Sequence, residues 1–379
     1  MIDLSSYGKP LHLLKPVVGR VAFEPVTRPE ESVLVTPFVP DDFTGFKALI
    51  TTARIEDPET LRLLPIIHSA RQISHLKVGD VVVLHPRSGH VRTLFRPDSQ
   101  HNALLVTERC NSFCLMCSQP PIDRDDSELV DINQEAIRLM EPPPKSLGIT
   151  GGEPTLLGSD LFRLFVAIRE KLPETDIHML TNGRRFAWPD FTEAFAAARP
   201  DRLSVGIPVY ADNAPDHDYV VQARGAFDQT IQGLHQLGRY GQFIEIRVVL
   251  HALTVPRLRH LAEYIYRNLP FAGHVTFMGL EIAGFTRPNL SKLWIDPFDY
   301  QRELEDAVEY LAVRGMNVSV YNHQLCVLPR TLWKFARRSI SDWKNIFLPI
   351  CEGCTLRDNC AGLFKSALLR HSDHLHPPV

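Results

Sequence analysis

The 379-residue sequence is poor in three things. No run approaches the ~18 consecutive apolar residues that a membrane-spanning helix needs. Net charge is almost absent: 41 Lys and Arg against 44 Asp and Glu leave −3, which gives no electrostatic footprint for bulk nucleic acid or an anionic membrane surface. Cysteine is scarce, with seven residues, an odd number and too few for a disulfide scaffold. The stretch from Met1 to Pro16 has no basic segment followed by a hydrophobic run and a small-residue cleavage site, so a cytoplasmic location is expected. What is present, 44% apolar and 22% charged residues, excludes wholesale disorder and fibrous architecture. The length suits two or three domains, or one large barrel with additions.

The chain divides by pattern into three regions. Residues 1–98 hold short β-like runs, Ser32 to Val39 and Val78 to Leu84 among them, and one helical candidate from Asp57 to Leu64 that Pro65 ends, which suggests a small β-rich N-terminal domain. From 99 to 290 strands alternate with helices. Strands are expected over 103–108, 146–150, 176–183, 203–210, 244–250 and 274–281, and helices over 133–140, 161–171, 191–198, 227–240 and 255–268. Six such units predict an α/β fold with a parallel sheet and right-handed crossovers, doubly wound or rolled into a partial barrel. In a barrel the chemistry gathers where strands end. Residues 291–379 carry an amphipathic helix from Tyr300 to Arg314, a short strand from Asn317 to Tyr321, and an irregular Cys-bearing tail. The tail residues His371, His374 and His376 are expected to fray rather than bind metal.

No cysteine precedes Cys110, and three then fall within eight positions: Cys110, Cys114 and Cys117. Three thiolates on one short loop suit a [4Fe-4S] cubane whose fourth iron stays open to a substrate or cosubstrate. Structural zinc wants four ligands, and no fourth stands nearby in sequence. The remaining cysteines, Cys326, Cys351, Cys354 and Cys360, form a second set that suits either an iron–sulfur cluster or a tetrahedral zinc ion.

The Cys110-Asn-Ser-Phe-Cys114-Leu-Met-Cys117 loop resembles that of the radical S-adenosylmethionine (SAM) enzymes, with Met116 where an aromatic residue is usual. Gly151-Gly152-Glu153-Pro154 matches their GGEP turn after the second barrel strand. Thr181-Asn182-Gly183 looks like their turn after the third strand, and His217-Asp218 through Gly225-Ala226-Phe227-Asp228 is similar to a segment of members that modify peptides. The resemblance implies a partial (βα)6 barrel of TIM type and a [4Fe-4S] cluster on Cys110, Cys114 and Cys117. It also implies SAM held at Gly151, Gly152, Glu153 and Pro154, and a radical that takes a hydrogen atom from the substrate.

Asn182 and Ser204 are candidates to meet SAM, or serve the turn and strand end. Arg247 and Glu281 face the cavity and touch SAM or substrate, or form structural ion pairs. Trp333 and Trp343 read as packing residues, and His323 as a substitute ligand beside Cys326.

The C-terminal C-x2-C-x5-C spacing resembles the auxiliary-cluster regions of SPASM or twitch type. Phe364 stands where the fuller pattern has a further cysteine, so one auxiliary [4Fe-4S] cluster, or a zinc ion, is the most that fits. Longer strings, Arg109 to Pro121, Asn322 to Pro329 and Ser339 to Asn345, resemble the radical SAM maturases of the His-Xaa-Ser repeat system, the HxsC family. That resemblance implies a ribosomally made precursor peptide as substrate, a flavodoxin- or ferredoxin-type electron donor, and a second radical SAM maturase as companion. The competing readings are a radical SAM enzyme acting on a nucleotide, RNA or small cofactor, and a non-catalytic metal-binding scaffold.

Overall fold

A computed structural model describes residues 4–56 and 64–377. Seven strands come first: β1 (Ser5–Leu11), β2 (Val17–Ala22), β3 (Ser32–Thr36), β4 (Ala48–Thr51), β5 (Ile66–Arg71), β6 (Val81–Leu84) and β7 (His90–Phe95). They close into a barrel in the order β1-β5-β4-β3-β2-β6-β7, with β7 returning to β1 through Ser6 opposite Val91. Strands β3 and β4 are buried on both faces. Val33, Val35 and Ile50 pack with Ile67 and Val82, while Leu34 and Leu49 pack with Phe43 and Phe46 on the other side. That double burial is why these strands read as continuous apolar runs rather than alternating ones. The helical candidate from Asp57 lies outside the described residues except for Leu64.

The second unit begins at β8 (Ala103–Leu105) and continues through α1 (Glu128–Leu139), β9 (Ser146–Thr150), α2 (Ser159–Lys171), β10 (Asp176–Leu180), α3 (Pro189–Ala198) and β11 (Leu203–Pro208). Then come α4 (Ala214–Val221), α5 (Ala226–Arg239), β12 (Phe243–Leu250), α6 (Leu258–Asn268), β13 (His274–Gly279), α7 (Leu290–Leu293), α8 (Gln301–Ala312), β14 (Val318–Tyr321) and β15 (Ala336–Arg337). The eight strands form one parallel sheet in the order β15 to β8. The parallel sheet is a partial TIM-like barrel, set beside a closed N-terminal barrel.

The sheet has two strands more than the six expected. Helix α8 serves as one more crossover, its Leu304, Val308 and Leu311 packing with Val318 and Val320 in the core. Strand β15 is two residues long, too short for any periodicity to reveal. A last hairpin joins β16 (Asn345–Ile346) to β17 (Leu363–Phe364).

Alternation along the parallel strands separates two environments. Ile177, Met179, Val205, Ile207, Ile244, Ile246, Val248, Val275 and Phe277 join the helices in the main core. The alternate positions, among them Gly148, His178, Ser204, Gly206, Glu245, Arg247, His274, Thr276, Ser319 and Tyr321, give the lumen a small and polar lining.

Candidate functional site

Four segments hold the cysteine loop. Phe113 and Leu115 donate backbone N–H groups to Val221 O (3.0 Å) and Val220 O (2.9 Å) at the end of α4. Asp218 fixes the following turn by accepting from the N–H groups of Gly225 and Phe227 (2.5 and 2.8 Å), which gives the His217-to-Asp228 segment its job. On the far side, Phe285 N–H donates to Cys117 O (2.8 Å), Thr286 Oγ1 to Met116 O (3.1 Å) and Asn289 Nδ2 to Leu115 O (3.2 Å). Before the loop, buried Asp126 accepts from Thr107 Oγ1 (2.8 Å), Glu108 N–H (2.5 Å) and Arg109 Nε (3.0 Å). Arg184 reaches over from the third turn to Asn111 O and Ser112 Oγ.

The glycine pair lies against this loop. A Cβ on Gly151 would stand 2.6 Å from Thr107 O, and one on Gly152 2.1 Å from Arg109 O, so both positions exclude any side chain. Gly152 N–H and Glu153 N–H donate to Thr107 O and Arg109 O (2.8 Å each). The Glu153 carboxylate is fully buried and committed to the chain itself. Its Oε1 accepts from Thr155 N–H (3.0 Å), Thr155 Oγ1 (2.6 Å) and Thr181 Oγ1 (2.6 Å), and its Oε2 from Asn182 N–H (2.6 Å). Glu153 therefore rivets the second rim turn to the third. Asn182 completes the circle by donating its Nδ2 to Asn111 Oδ1 (2.6 Å).

The three thiols share an apolar recess beside fully buried Tyr210. Burial pushes Cys110 up to about 11, with the Glu153 charge adding to it. Burial pushes Cys114 up to about 12, with Cys117 and Cys110 adding to it, and burial also raises Cys117. Among the described residues no three His, Cys, Asp or Glu side chains are close enough to share one metal ion. Cys110 and Cys117 lie near enough to Cys114 to raise it, and an all-thiol donor set of this kind suits an iron–sulfur cluster. The residues present fit a [4Fe-4S] group.

Ser204 and Arg247 sit lower in the lumen, in a continuous polar row. Ser204 Oγ donates to Ile177 O (3.1 Å) and lies 2.9 Å from His178 Nδ1. Glu245 is the hub: it pairs with Arg247, with His178 Nε2 at 3.7 Å and with His274 Nδ1 at 3.1 Å, while His274 Nε2 meets Ser319 Oγ at 3.0 Å. Glu281 pairs with Lys344 Nζ (2.9 Å). No motif marked Asp126, Arg184, His178, Glu245 or His274 in the sequence.

At the C-terminus Cys326, Cys351, Cys354 and Cys360 line one cavity of about 370 Å³ with Phe347, Leu356 and Leu375. Burial pushes Cys326 up to about 11 and raises Cys351. His323 does not join them. Its Nδ1 lies 2.8 Å from Tyr321 O and its Nε2 2.8 Å from Tyr300 Oη, and burial drives it down to about 4. Trp333 Nε1 donates to Leu325 O (2.9 Å) and Leu328 O (3.2 Å), a packing role. The expectation of a frayed tail is corrected. Asp296 accepts from Ser372 Oγ (2.6 Å) and Asp373 N–H (3.1 Å), and His374 stacks on Phe298 at 4.0 Å.

No curated protein matches the chain. Among solved structures it is similar to SuiB of Streptococcus suis, at 17% identity and a TM-score of 0.45 over 60% of this chain and 50% of that one. It is also similar to anSMEcpe with AdoMet and a Kp18Cys peptide bound, at 17% identity and 0.42 over 58% and 63%. A radical SAM methyltransferase from Sphaerobacter thermophilus gives 16% identity and 0.41 over 66% and 75%. The chain thus spans half the length of SuiB. Residues 104–265 match the family model of the Radical SAM superfamily. That segment runs from β8 into α6 and contains the cysteine loop and both rim turns, so this part of the chain is a Radical SAM domain, the domain of an enzyme.

Proposed function

We propose that Cys110, Cys114 and Cys117 hold a [4Fe-4S] cluster, that SAM binds against Gly151 to Pro154 and the Thr181-to-Gly183 turn, and that the enzyme modifies a ribosomally made peptide. One observation carries the first part: the two rim turns and the thiol loop are locked together by Glu153, Asn182 and the contact of Gly152 with Arg109 O. When bound, the cluster and SAM supply a carbon-centred radical that takes a hydrogen atom from the substrate. The chain's own residues do the rest. Backbone at the glycine pair gives a ligand close approach, the riveted turns hold the rim rigid, and the buried Leu115, Met116 and Tyr210 keep water from the thiol recess. The peptide reading rests on the residue strings around Cys110, Cys326 and Ser339; the near-neutral charge speaks against RNA. The finer reading is a His-Xaa-Ser repeat precursor, with a flavodoxin- or ferredoxin-type donor and a second maturase. The C-terminal thiols, all four lining one cavity, are assigned an auxiliary [4Fe-4S] cluster, with a zinc ion as the alternative.

The test is anaerobic analysis of iron, sulfide and zinc with 5′-deoxyadenosine formation from SAM and dithionite, beside a C110A/C114A/C117A variant. About eight irons and SAM cleavage that vanishes in the variant are expected. About four irons plus one zinc would make the C-terminal site structural. No cleavage with any reductant would refute the radical reading.

A further inference from the structure

An open pocket of about 760 Å³ runs along β14, from His101 and His274 at the lower end of the lumen to Tyr321 and Arg337, which stand level with Met278 near the rim. Its lining includes His101, His274, Ser319, Tyr321, Arg337 and Arg338, and no carboxylate. We propose that this pocket binds a carboxylate of the substrate, an acidic side chain on an extended peptide. The inference rests on the peptide reading and adds to it a recognition element.

The two arginines carry the argument. Arg337 spends Nη1 on Lys334 O (2.8 Å) and Ala336 O (2.9 Å), and Arg338 spends Nη1 on Asp358 O (3.0 Å). Among the described residues neither guanidinium has a carboxylate within 4.0 Å. Each guanidinium has five N–H donors in a fixed fork, so Nε and Nη2 remain for a bidentate partner. Two adjacent uncompensated cations on a concave surface repel each other until an anion arrives. Of the carboxylates nearby, Glu245 is held by Arg247, His178 and His274, Asp342 by Ser99 Oγ, Trp343 N–H and His101 at 3.8 Å, and exposed Asp358 meets Arg338 through its backbone oxygen. A phosphate group is less suited. No glycine-rich loop or helix N-terminus lines the pocket, the devices by which backbone N–H groups cradle phosphate.

Continuity with the lumen makes this a substrate site. His274 and Ser319 belong both to the pocket lining and to the polar row below the thiol rim. Arg337 is in register with Tyr321, and Tyr321 with Met278, one residue before the rim residue Gly279.

The test is fluorescence anisotropy with the full chain carrying its clusters, without SAM or reductant. The probes are fluorescein-labelled Ser-Gly-Glu-Ser-Glu-Gly-Ser and its Gln counterpart. We expect salt-sensitive binding of the Glu peptide and at least tenfold weaker binding of the Gln peptide. R337Q/R338Q should lose at least tenfold, R337K/R338K less, and R169Q, on the exposed end of α2, nothing. Equal affinity for the two peptides, no binding of the Glu peptide, or full affinity in R337Q/R338Q would overturn the proposal. So would displacement of the peptide by pyrophosphate at lower concentration than by glutarate, which marks a phosphate site. The wild-type comparison needs no variant to fold, and because no SAM is cleaved in it, its failure is separate from failure of the radical reading.

Discussion

At the scale of single residues, Glu153 shows what a motif letter conceals. The sequence marks it as part of a turn that binds SAM, and the structure commits both its oxygens to Thr155, Thr181 and Asn182. An amide there would set its own N–H groups against one of those donors, leaving a buried donor unpaired at about 1–3 kcal/mol. E153Q should bind SAM at least tenfold more weakly by calorimetry while its iron content stays at the wild-type level; unchanged SAM affinity would remove the rivet from the account. Three histidines set the acid limit. Burial holds His217, His251 and His323 down to about 4, against about 6.5 unfolded. The unfolded chain binds more protons between those values, so stability is full above pH 6.5 and falls as pH drops toward 4, by about 1.4 kcal/mol per histidine per unit. Urea midpoints measured from pH 7.5 to 5 should decline, and less steeply in H323Q. A flat profile would show that these histidines are already charged in the fold.

Among elements, the clamp over the third cysteine is the least legible part of the site. Gly284 has a φ of 52°, and a Cβ there would stand 2.3 Å from Cys117 O. The residues after it reach Met116, Leu115 and Cys117 through their backbone, contacts that side-chain spacing does not encode. G284A should lower iron content and cost about 1–3 kcal/mol, and an unchanged iron-to-protein ratio would count against the clamp.

The outward faces of the strands were legible because Ile, Val and Phe alternate there with helices of matching pattern. The lumen was not, because His178, Glu245 and His274 look like surface residues in a sequence, and their partners come from separate strands. The cysteine spacings singled out the two thiol groups, which the structure places on the rim loop and around one C-terminal cavity. That Cys326 shares a cavity with residues 25 to 34 positions later is a property of the hairpin β16–β17 and the docked tail.

For the whole molecule, the two barrels share one interface. Val18, Val81, Val83 and Phe95 of the first join the main core with α1, which packs against β2 and β6. Ion pairs rim this seam: Lys47 with Glu135 (2.5 Å), and Arg138 with Glu31 (2.6 Å) and Glu135 (2.8 Å). Arg138 is 40% exposed, so R138A should cost under about 1 kcal/mol. I137A, at a fully buried position in the shared core, should cost about 2–5 kcal/mol; the reverse order in thermal unfolding would make the seam electrostatic. Removing residues 1–98 would uncover the apolar face of α1, so the remainder should aggregate, as static light scattering would show. The closed N-terminal barrel offers no unpaired strand for a peptide to extend, which directs the search for substrate contacts to the core.

The sheet edges carry a practical consequence. The core sheet terminates in β8, three residues long, and β15, two residues long, and the first barrel has no edge at all. Copies of the folded protein therefore have almost no backbone on which to build intermolecular β-structure. Turbidity in a concentrated stock warmed below its melting transition would follow the small unfolded fraction, and whatever shifts that equilibrium toward the native form, SAM included, would lengthen shelf life.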